Sequence, residues 1–246
     1  MKYISAIKRD GLLCFLLAVG NELRKKEFTR REKVRNKSKD TKTYSQYSED
    51  LYIDRILGHK FDGFYVDVGA NNPTILSNTK KFYDNGWAGI NIEPDYNNFN
   101  LFVKERPRDK NLNLGISDTP GKLIFYVFEE DTLSTFSQED AEKLVTGGRN
   151  IVEKKIIETF KLSKIFEDND VKKIDFMTID TERYDQKVLN SNDWSRFRPT
   201  LICIEDNGEN NFEAFFSAIN YKKTCHNGLN SFFIDNTDTG NKIENN

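Results

Sequence analysis

Histidine, cysteine and long apolar runs are scarce in this chain of 246 residues, which contains two histidines and three cysteines. Two histidines exclude a multi-histidine metal site, and the spacing of Cys14, Cys203 and Cys225 is not typical of a metal-binding or disulfide framework. One cysteine would remain unpaired, which favours a reducing, cytoplasmic compartment. The apolar run at residues 11–20 is shorter than the roughly 20 residues that a membrane-spanning helix needs. A mean hydropathy of −0.68 also excludes a polytopic membrane protein.

Basic residues are concentrated near the amino terminus, although the net charge is only −2. Residues 24–42 contain ten Lys or Arg residues against three acids, and the chain after them is acidic. A charge confined to one segment is not typical of a nucleic-acid-binding face, so no nucleic-acid partner is expected. We expect residues 1–42 to form a helix and a basic linker, either solvated or in contact with the inner face of an anionic membrane. A cleaved signal peptide is the alternative for the apolar run.

Strand and helix patterns alternate over residues 43–235, which we expect to form the main domain, and a polar tail follows at 236–246. The β-type runs lie at 64–68, 88–92, 112–116, 174–179 and 200–204. The helical patterns lie at 48–57, with Ser48 as the predicted cap, and at 77–85, 95–104, 184–189 and 211–219. This alternation predicts an α/β fold with a mostly parallel sheet and helices on both faces. Runs at 122–128 and 154–160 predict an inserted β-pair between strands three and four, and runs at 221–225 and 231–234 predict a closing antiparallel pair.

Acidic residues follow nearly every predicted strand. In an open parallel sheet, ligands bind outside the carboxyl ends of the strands, so these acids would share one edge. For a single acid the alternative is a turn or cap, because Asp is a good turn residue. As a set, they predict a binding site. They are Asp67, Glu93, Asp118, Asp180, Glu182, Glu205 and Asp206.

Glu93 gives the sharpest indication of the ligand. It lies 24 residues after Gly69, where a dinucleotide fold places the acid that accepts hydrogen bonds from ribose hydroxyls. The phosphate-binding GxGxxG turn is missing, since the chain reads VDVGANNPTILSNT after the first strand. A ligand with a ribose and no pyrophosphate, such as S-adenosylmethionine (SAM), fits both facts. A nicotinamide oxidoreductase is the alternative that the missing turn disfavours.

The run YVDVGANNPTILSNT resembles the first motif of the FkbM-like family of class I SAM-dependent methyltransferases. Further segments are similar to that family in the same order over roughly residues 44–235: YSQYSEDL, FYDNGWAGINIEPD, RPRDKNLNLGISD, TLSTFS, IDFMTIDTERYDQKVL, SNDWSRFRPTLICIED and LNSFFI. The resemblance implies a Rossmann-like class I methyltransferase fold with a seven-stranded sheet. It also implies methyl transfer from SAM, usually to oxygen, on sugars of cell-surface glycans or on natural products. The cofactor is then expected to contact Gln46, Asp67, Gly69, Asn71, Ser77, Glu93, Ser117 and Asp118.

Carboxylates are the expected catalytic groups, because a sugar hydroxyl needs a base or a metal ion to lose its proton. Asp180 and Glu182 follow the fourth strand and are the predicted bases, with His226 as a further candidate. Asp180 with Asp206 and Asn207 also resembles the Mg²⁺ ligands of catechol-type O-methyltransferases. Hard oxygen ligands of this kind suit Mg²⁺ or another divalent cation.

One position departs from the family pattern. The family usually has a glycine in a motif like IDxEG, whereas this chain reads Ile179-Asp180-Thr181-Glu182-Arg183. Arg183 either contacts an anionic substrate such as a nucleotide-sugar or distorts the loop, and a non-catalytic binding module is the alternative function. Residues 132–137 and the region of Gly147 and Gly148 are expected to form a lid or acceptor site. Residues 106–108 are expected to form a solvated turn, and contact with a substrate phosphate is the alternative.

Overall fold

The described part of the chain contains ten strands, which form two sheets. This computed structural model describes residues 42–60, 62–208 and 210–237. The strands are β1 (Phe64–Val68), β2 (Ala88–Ile92), β3 (Lys110–Leu112), β4 (Gly115–Ile116), β5 (Gly121–Phe128), β6 (Ile151–Phe160), β7 (Phe176–Ile179), β8 (Leu201–Glu205), β9 (Tyr221–His226) and β10 (Asn230–Asp235). The predicted N-terminal helix and basic linker, up to residue 41, and residues 238–246 of the predicted tail lie outside the described residues.

The larger sheet has seven strands in the order β3-β2-β1-β7-β8-β10-β9. Strands β1, β2, β3, β7 and β8 are parallel, whereas β10 is antiparallel to both of its neighbours. The strand order reverses between β1 and β7, and a doubly wound sheet has its ligand crevice at the carboxyl ends of such strands. The predicted mostly parallel seven-stranded α/β sheet and its closing antiparallel pair are confirmed.

The smaller sheet has the order β4-β6-β5 and contains the predicted inserted pair, since β5 and β6 are antiparallel. The predicted strand at 112–116 is wrong as one element, because β3 ends at Leu112 and β4 pairs with β6 instead. Asn113 lies between the two strands, and its Nδ2 donates to the carbonyls of Glu93 and Pro94, both at 2.9 Å. These bonds hold the chain across the end of β2 and direct it into the second sheet.

Helices cover both faces of the larger sheet, as predicted. Successive residues of a strand point to opposite faces, so Val66 and Val68 of β1 pack into one core while Tyr65 packs into another with Ile53 and Phe82. The helices are α1 (Glu49–Ile56), α2 (Lys80–Asp84), α3 (Tyr96–Glu105), α4 (Gln138–Thr146), α5 (Leu162–Asp168), α6 (Asp185–Asn190) and α7 (Phe212–Ala218). The first core lies under α5, α6 and α7, and the second under α1 and α2.

Helix starts follow local hydrogen bonding. The Asp95 carboxylate accepts two backbone N–H hydrogen bonds and begins α3, as a capping side chain does. Ser48 occupies the predicted cap position of α1, but its side chain makes no capping hydrogen bond. Helix α2 begins at Lys80, later than predicted. Among the described residues, no helix is both long enough and apolar enough to cross a membrane. Membrane contact and a cytoplasmic location stay predictions.

Candidate active site

A cavity lies at the carboxyl ends of β1, β2 and β7, where the strand order reverses. It holds about 1050 Å³ with its open mouth included. Apolar walls come from Ile92, Leu114 and Phe136, and polar groups line the floor. The predicted site residues that line it are Gln46, Asp67, Gly69, Asn71, Glu93, Asp180 and Glu182. The topology therefore brings most of the predicted cofactor-binding residues and both predicted bases to one place.

Gly69 lets the ends of β1 and β7 approach each other at the floor of this cavity. Its φ is +79°, and a Cβ at this position would lie 1.9 Å from the carbonyl oxygen of Asp180. Its N–H donates to the carbonyl oxygen of Ile92 at 3.0 Å, which ties the turn to β2. Only glycine combines this conformation with this contact. The structure therefore explains why residue 69 is a glycine. Contact between Gly69 and a cofactor stays a prediction.

Glu93 presents a fixed carboxylate to the cavity. Its Oε2 accepts the N–H of Asn71 at 2.7 Å, and its Oε1 accepts the N–H of Asp95 at 2.6 Å. Burial raises the pKa of Glu93 to about 8, although both backbone hydrogen bonds act in the opposite direction. Each carboxylate oxygen can accept a second hydrogen bond. Two ribose hydroxyls could therefore bind without displacing the backbone contacts.

Asp67 is held by a buried polar network beneath the cavity. Its Oδ2 accepts the Thr79 hydroxyl at 2.7 Å, and Thr79 Oγ1 accepts Arg106 Nη1 at 2.6 Å. Arg106 is fully buried and also donates to Ser77 Oγ at 2.8 Å and to the Pro73 carbonyl. Burial raises the pKa of Asp67 to about 6, while Thr79 and Arg106 act to lower it. Arg106 thus corrects the predicted solvated turn at 106–108, and Ser77 lies in this network rather than on the cavity wall.

Three carboxylates meet at the far side of the cavity floor. Strands β7 and β8 pair with Ile179 opposite Ile204, so Asp180 and Glu205 follow at matching positions of adjacent parallel strands. Carboxylate oxygens of Asp180, Glu182 and Glu205 lie within 4.8 Å of one another. Strand β7 is followed by Asp180 after Ile179, and β8 ends at Glu205 after Ile204. This shared Ile-acid ending is the sequence signal that could have identified Glu205, whereas the prediction named Asp206.

Like charge and restricted access to water perturb the acid–base behaviour of this group. Burial raises the pKa of Glu182 to about 8, and the negative charge of Glu205 adds to the effect. Burial also raises the pKa of Asp180, and the negative charges of Glu182 and Glu205 add to the effect. Asp180 nonetheless keeps an exposed side chain at the cavity floor. Such a group can accept a proton from a bound hydroxyl, and its oxygens also fit a divalent cation.

Ser117 and Asp118 lie away from the cavity lining. Ser117 is fully buried, with its Oγ 3.1 Å from the Tyr184 hydroxyl, and Asp118 lies 3.3 Å from Lys187 Nζ. Residues 131–136 of the insertion occupy that wall instead, which places the predicted lid segment at the cavity. The division of the predicted strand at 112–116 explains this difference, since residues 117 and 118 follow β4 of the smaller sheet and not a strand of the larger one.

His226, Asp206 and Asn207 line a separate cavity beside the β9–β10 turn. The Ser231 hydroxyl donates to Asp206 Oδ2 at 2.5 Å, and Ser231 Oγ lies 3.2 Å from His226 Nδ1. Lys223 Nζ is 3.5 Å from the same Asp206 oxygen. The structure therefore does not bring Asp206 and Asn207 into the group formed by Asp180, and it places His226 outside the first cavity.

Glu182 and Arg183 form a turn in which both residues have left-handed backbones, with φ of +50° and +69°. The Thr135 hydroxyl donates to the Glu182 carbonyl at 2.8 Å and joins this turn to the insertion. Arg183 therefore adopts the conformation that a glycine would adopt freely. Its guanidinium lies 3.4 Å from Asp140 on α4.

Comparisons with known proteins found similar solved structures and a matching family model. Two solved structures are similar to the chain at low identity: the METTL16 MTase domain (crystal form 2; 11% identity, 76% of this chain, TM-score 0.40) and a putative RNA methyltransferase, PH1948 from Pyrococcus horikoshii (12%, 88% of this chain, 98% of that one, TM-score 0.41). The chain spans 65% of the METTL16 structure. No curated protein matches the chain significantly. The family model of the methyltransferase FkbM domain matches residues 67–233, and the chain therefore belongs to that family of methyltransferases.

Proposed function

We propose that this protein transfers a methyl group from SAM to a hydroxyl of a sugar, in a nucleotide-sugar or a precursor of a cell-surface glycan. One observation carries the proposal: the cavity has a ribose-type acceptor, Glu93, on one side and a proton acceptor, Glu182, on the other. Family membership supports methyl transfer. The oxygen acceptor is supported by the raised pKa of Glu182, because a base works best when its pKa is near the working pH.

The cofactor fit is judged from the cavity itself. The Glu93 carboxylate has hydrogen-bonding capacity left after its two backbone contacts, which suits a pair of vicinal hydroxyls. Ile92, Leu114 and Phe136 offer an apolar surface for a flat base. When bound, SAM supplies a methyl group already activated on a sulfonium. The protein has to bind it, align the acceptor and remove the acceptor proton.

The proton is the part of the reaction that this chain handles. The acceptor hydroxyl would donate to Glu182 or Asp180, and the ionised carboxylate would take its proton as the new C–O bond forms. Burial raises the pKa values of Asp180 and Glu182, and the charges of the neighbouring acids add to the effect, so Glu182 becomes an ionised base as the pH rises through about 8. Water is excluded on one side by residues of the insertion, including Phe136.

A divalent cation is a second cofactor that the donor set supports. Asp180, Glu182 and Glu205 supply three hard oxygen ligands within 4.8 Å of one another, which fits Mg²⁺ or Ca²⁺. The cation would acidify a bound hydroxyl. Mg²⁺ should raise the unfolding temperature of the wild type and not that of Glu205→Gln. Equal shifts in both proteins would remove this cofactor from the proposal.

The first test is a calorimetric titration of the full chain with SAM, with NADH in parallel. We expect SAM to bind, NADH not to bind, and Glu93→Ala to abolish SAM binding while the variant stays folded. A screen of nucleotide-sugars and glycans for methyl transfer, with and without Mg²⁺, then identifies the acceptor. Absence of SAM binding would refute the methyltransferase proposal. Binding without turnover on any sugar would favour the non-catalytic alternative, and NADH binding the oxidoreductase.

A further inference from the structure

A second cavity adjoins the first one at Glu182. It holds about 810 Å³ with its open mouth included, and it lies between α4 and the turn that follows β7. Glu182 lines both cavities. A ligand seated here could therefore present one end to the predicted base. We call this cavity the Arg183 pocket, and its lining includes Thr135, Asp140, Lys143, Arg149, Glu182 and Arg183.

Cationic side chains outnumber acids in the Arg183 pocket. Lys143, Arg149 and Arg183 face two lining acids, Asp140 and Glu182. Lys143 Nζ and Arg183 Nη1 both lie 3.4 Å from a single oxygen, Asp140 Oδ1. The other oxygen of Asp140 already accepts the Ser137 hydroxyl at 2.5 Å. One carboxylate oxygen of Asp140 thus serves two cations, both at long distance.

The ion pairs that these cations make elsewhere are weak competitors. Lys143 lies 2.8 Å from Glu139, and Arg149 pairs with Glu130, but in each pair both side chains are at least half exposed. Exposed pairs of this kind contribute roughly 0–1 kcal/mol each, because water and salt screen them. An anionic ligand with several oxygens could replace them with charge-assisted hydrogen bonds, which are stronger.

The backbone of Arg183 shows that its side chain is kept at a conformational cost. Left-handed backbone at a residue with a Cβ costs roughly 1–2 kcal/mol, and glycine would avoid that cost. Thr135 fixes the preceding carbonyl and so holds the turn against the insertion. Strained conformations of this kind cluster at ligand-binding and catalytic sites. The guanidinium is thereby directed to the pocket beside the predicted base.

We propose that the Arg183 pocket binds the phosphate or diphosphate group of a sugar acceptor, so that the sugar reaches Glu182 in the first cavity. Guanidinium and ammonium groups are the usual partners of phosphate oxygens. The placement of the sugar depends on the proposed function, whereas phosphate binding does not. The acceptor class is therefore a phosphorylated sugar, such as a nucleoside diphosphate-sugar, rather than a neutral glycan.

The test measures binding of pyrophosphate, UDP-glucose and glucose to the full chain by calorimetry. We expect pyrophosphate and UDP-glucose to bind at least about tenfold more tightly than glucose, with an affinity that falls as salt rises. Arg183→Gly and Lys143→Gln should each weaken both phosphate ligands about tenfold. Arg183→Gly should also keep or raise the unfolding temperature, because glycine relieves the left-handed backbone. The matched control is Lys187→Gln, which removes an exposed charge outside the pocket and should leave both affinities unchanged.

The possible failures of the two proposals are distinct. Equal affinity of Arg183→Gly and the wild type for both phosphate ligands would overturn the inference, and so would binding of glucose as tight as that of UDP-glucose. If SAM binds and neutral sugars are methylated as fast as phosphorylated ones, the proposed function stands and the pocket assignment fails. If phosphate ligands bind in the expected pattern and SAM does not bind, the pocket assignment stands and the methyltransferase proposal fails.

Discussion

Replacing Gly69 with alanine tests the close approach of β1 and β7 that forms the cavity floor. The change adds a methyl group to a residue with φ of +79°, and that methyl would lie 1.9 Å from the Asp180 carbonyl oxygen. Gly58 offers a matched control, since its φ is +68° and nothing lies within 4 Å of an added Cβ. Both substitutions impose the same unfavourable backbone, and only one of them also imposes a collision.

The two costs can be separated by magnitude. Left-handed alanine costs about 1–2 kcal/mol, which is the whole effect expected for Gly58→Ala. Gly69→Ala adds overpacking against the backbone, worth about 1–3 kcal/mol more, so its total is about 2–5 kcal/mol. At about 2–4 °C per kcal/mol for a domain of this size, Gly58→Ala should lower the unfolding temperature by about 2–8 °C and Gly69→Ala by up to about 20 °C.

Chemical and thermal unfolding of both variants, followed by SAM titration below the transition, measures these effects. Gly58→Ala should bind SAM as the wild type does. Gly69→Ala should bind SAM much more weakly, because the Asp180 backbone has to move away from the cavity floor. Equal losses of stability in the two variants would show that the contact between residue 69 and Asp180 contributes nothing and would refute the reasoning.

Four further predictions concern charged side chains. Above about pH 8, where Glu93 is ionised, Glu93→Gln removes the charge from one set of hydrogen bonds worth about 1.5–3 kcal/mol. SAM affinity should then fall about 10–100-fold in a titration in which Glu105→Gln, an exposed control, has no effect. The rate of methyl transfer should increase as the pH rises through about 8, because Glu182 acts as a base only when it is ionised. If the Glu182→Gln variant showed the same pH profile, Glu182 would not be the base. In the folded protein Glu93 and Glu182 keep their protons up to about pH 8, whereas in the unfolded chain they lose them near pH 4.5. The free energy of unfolding should therefore decrease as the pH rises from 4.5 to about 8. Arg106→Leu should cost at least about 2 kcal/mol in urea unfolding, because it leaves the buried Pro73 carbonyl without its donor; unchanged stability would argue against the buried network.

The larger sheet could be predicted from the sequence because the patterns that indicate its strands are local. Short apolar runs alternate with helical patterns, and the parallel strands β1, β2, β7 and β8 each end at an acid or a glycine, so Gly69, Glu93 and Asp180 could be placed at one edge. The inserted β-pair was predicted for the same reason. Its partner β4 was not, because the division of the run at 112–116 depends on Asn113 reaching two carbonyls that are distant in sequence.

Side-chain environments could be predicted less well from the sequence, because they depend on contacts across the fold. Arg106 lies in a polar run that reads as a turn, yet it is fully buried against Ser77 and Thr79. Asp206 was predicted beside Asp180, whereas the structure brings Glu205 there, because Ile204 pairs with Ile179 and a shift of one residue moves a side chain to the opposite face of a sheet. The shared endings Ile-Asp and Ile-Glu indicate this register only once β7 and β8 are known to be neighbours.

The order of strands in the larger sheet constrains how the chain can fold. Strand β10 is the last of the described strands in sequence, yet it lies between β8 and β9. Until residues 230–235 have been synthesised and released, β8 has an unpaired edge and β9 has no neighbour in the sheet. Exposed strand edges pair with other chains, so the newly made protein is most prone to aggregation during this interval. A deletion that removes β10 should accordingly yield insoluble protein rather than a smaller soluble domain.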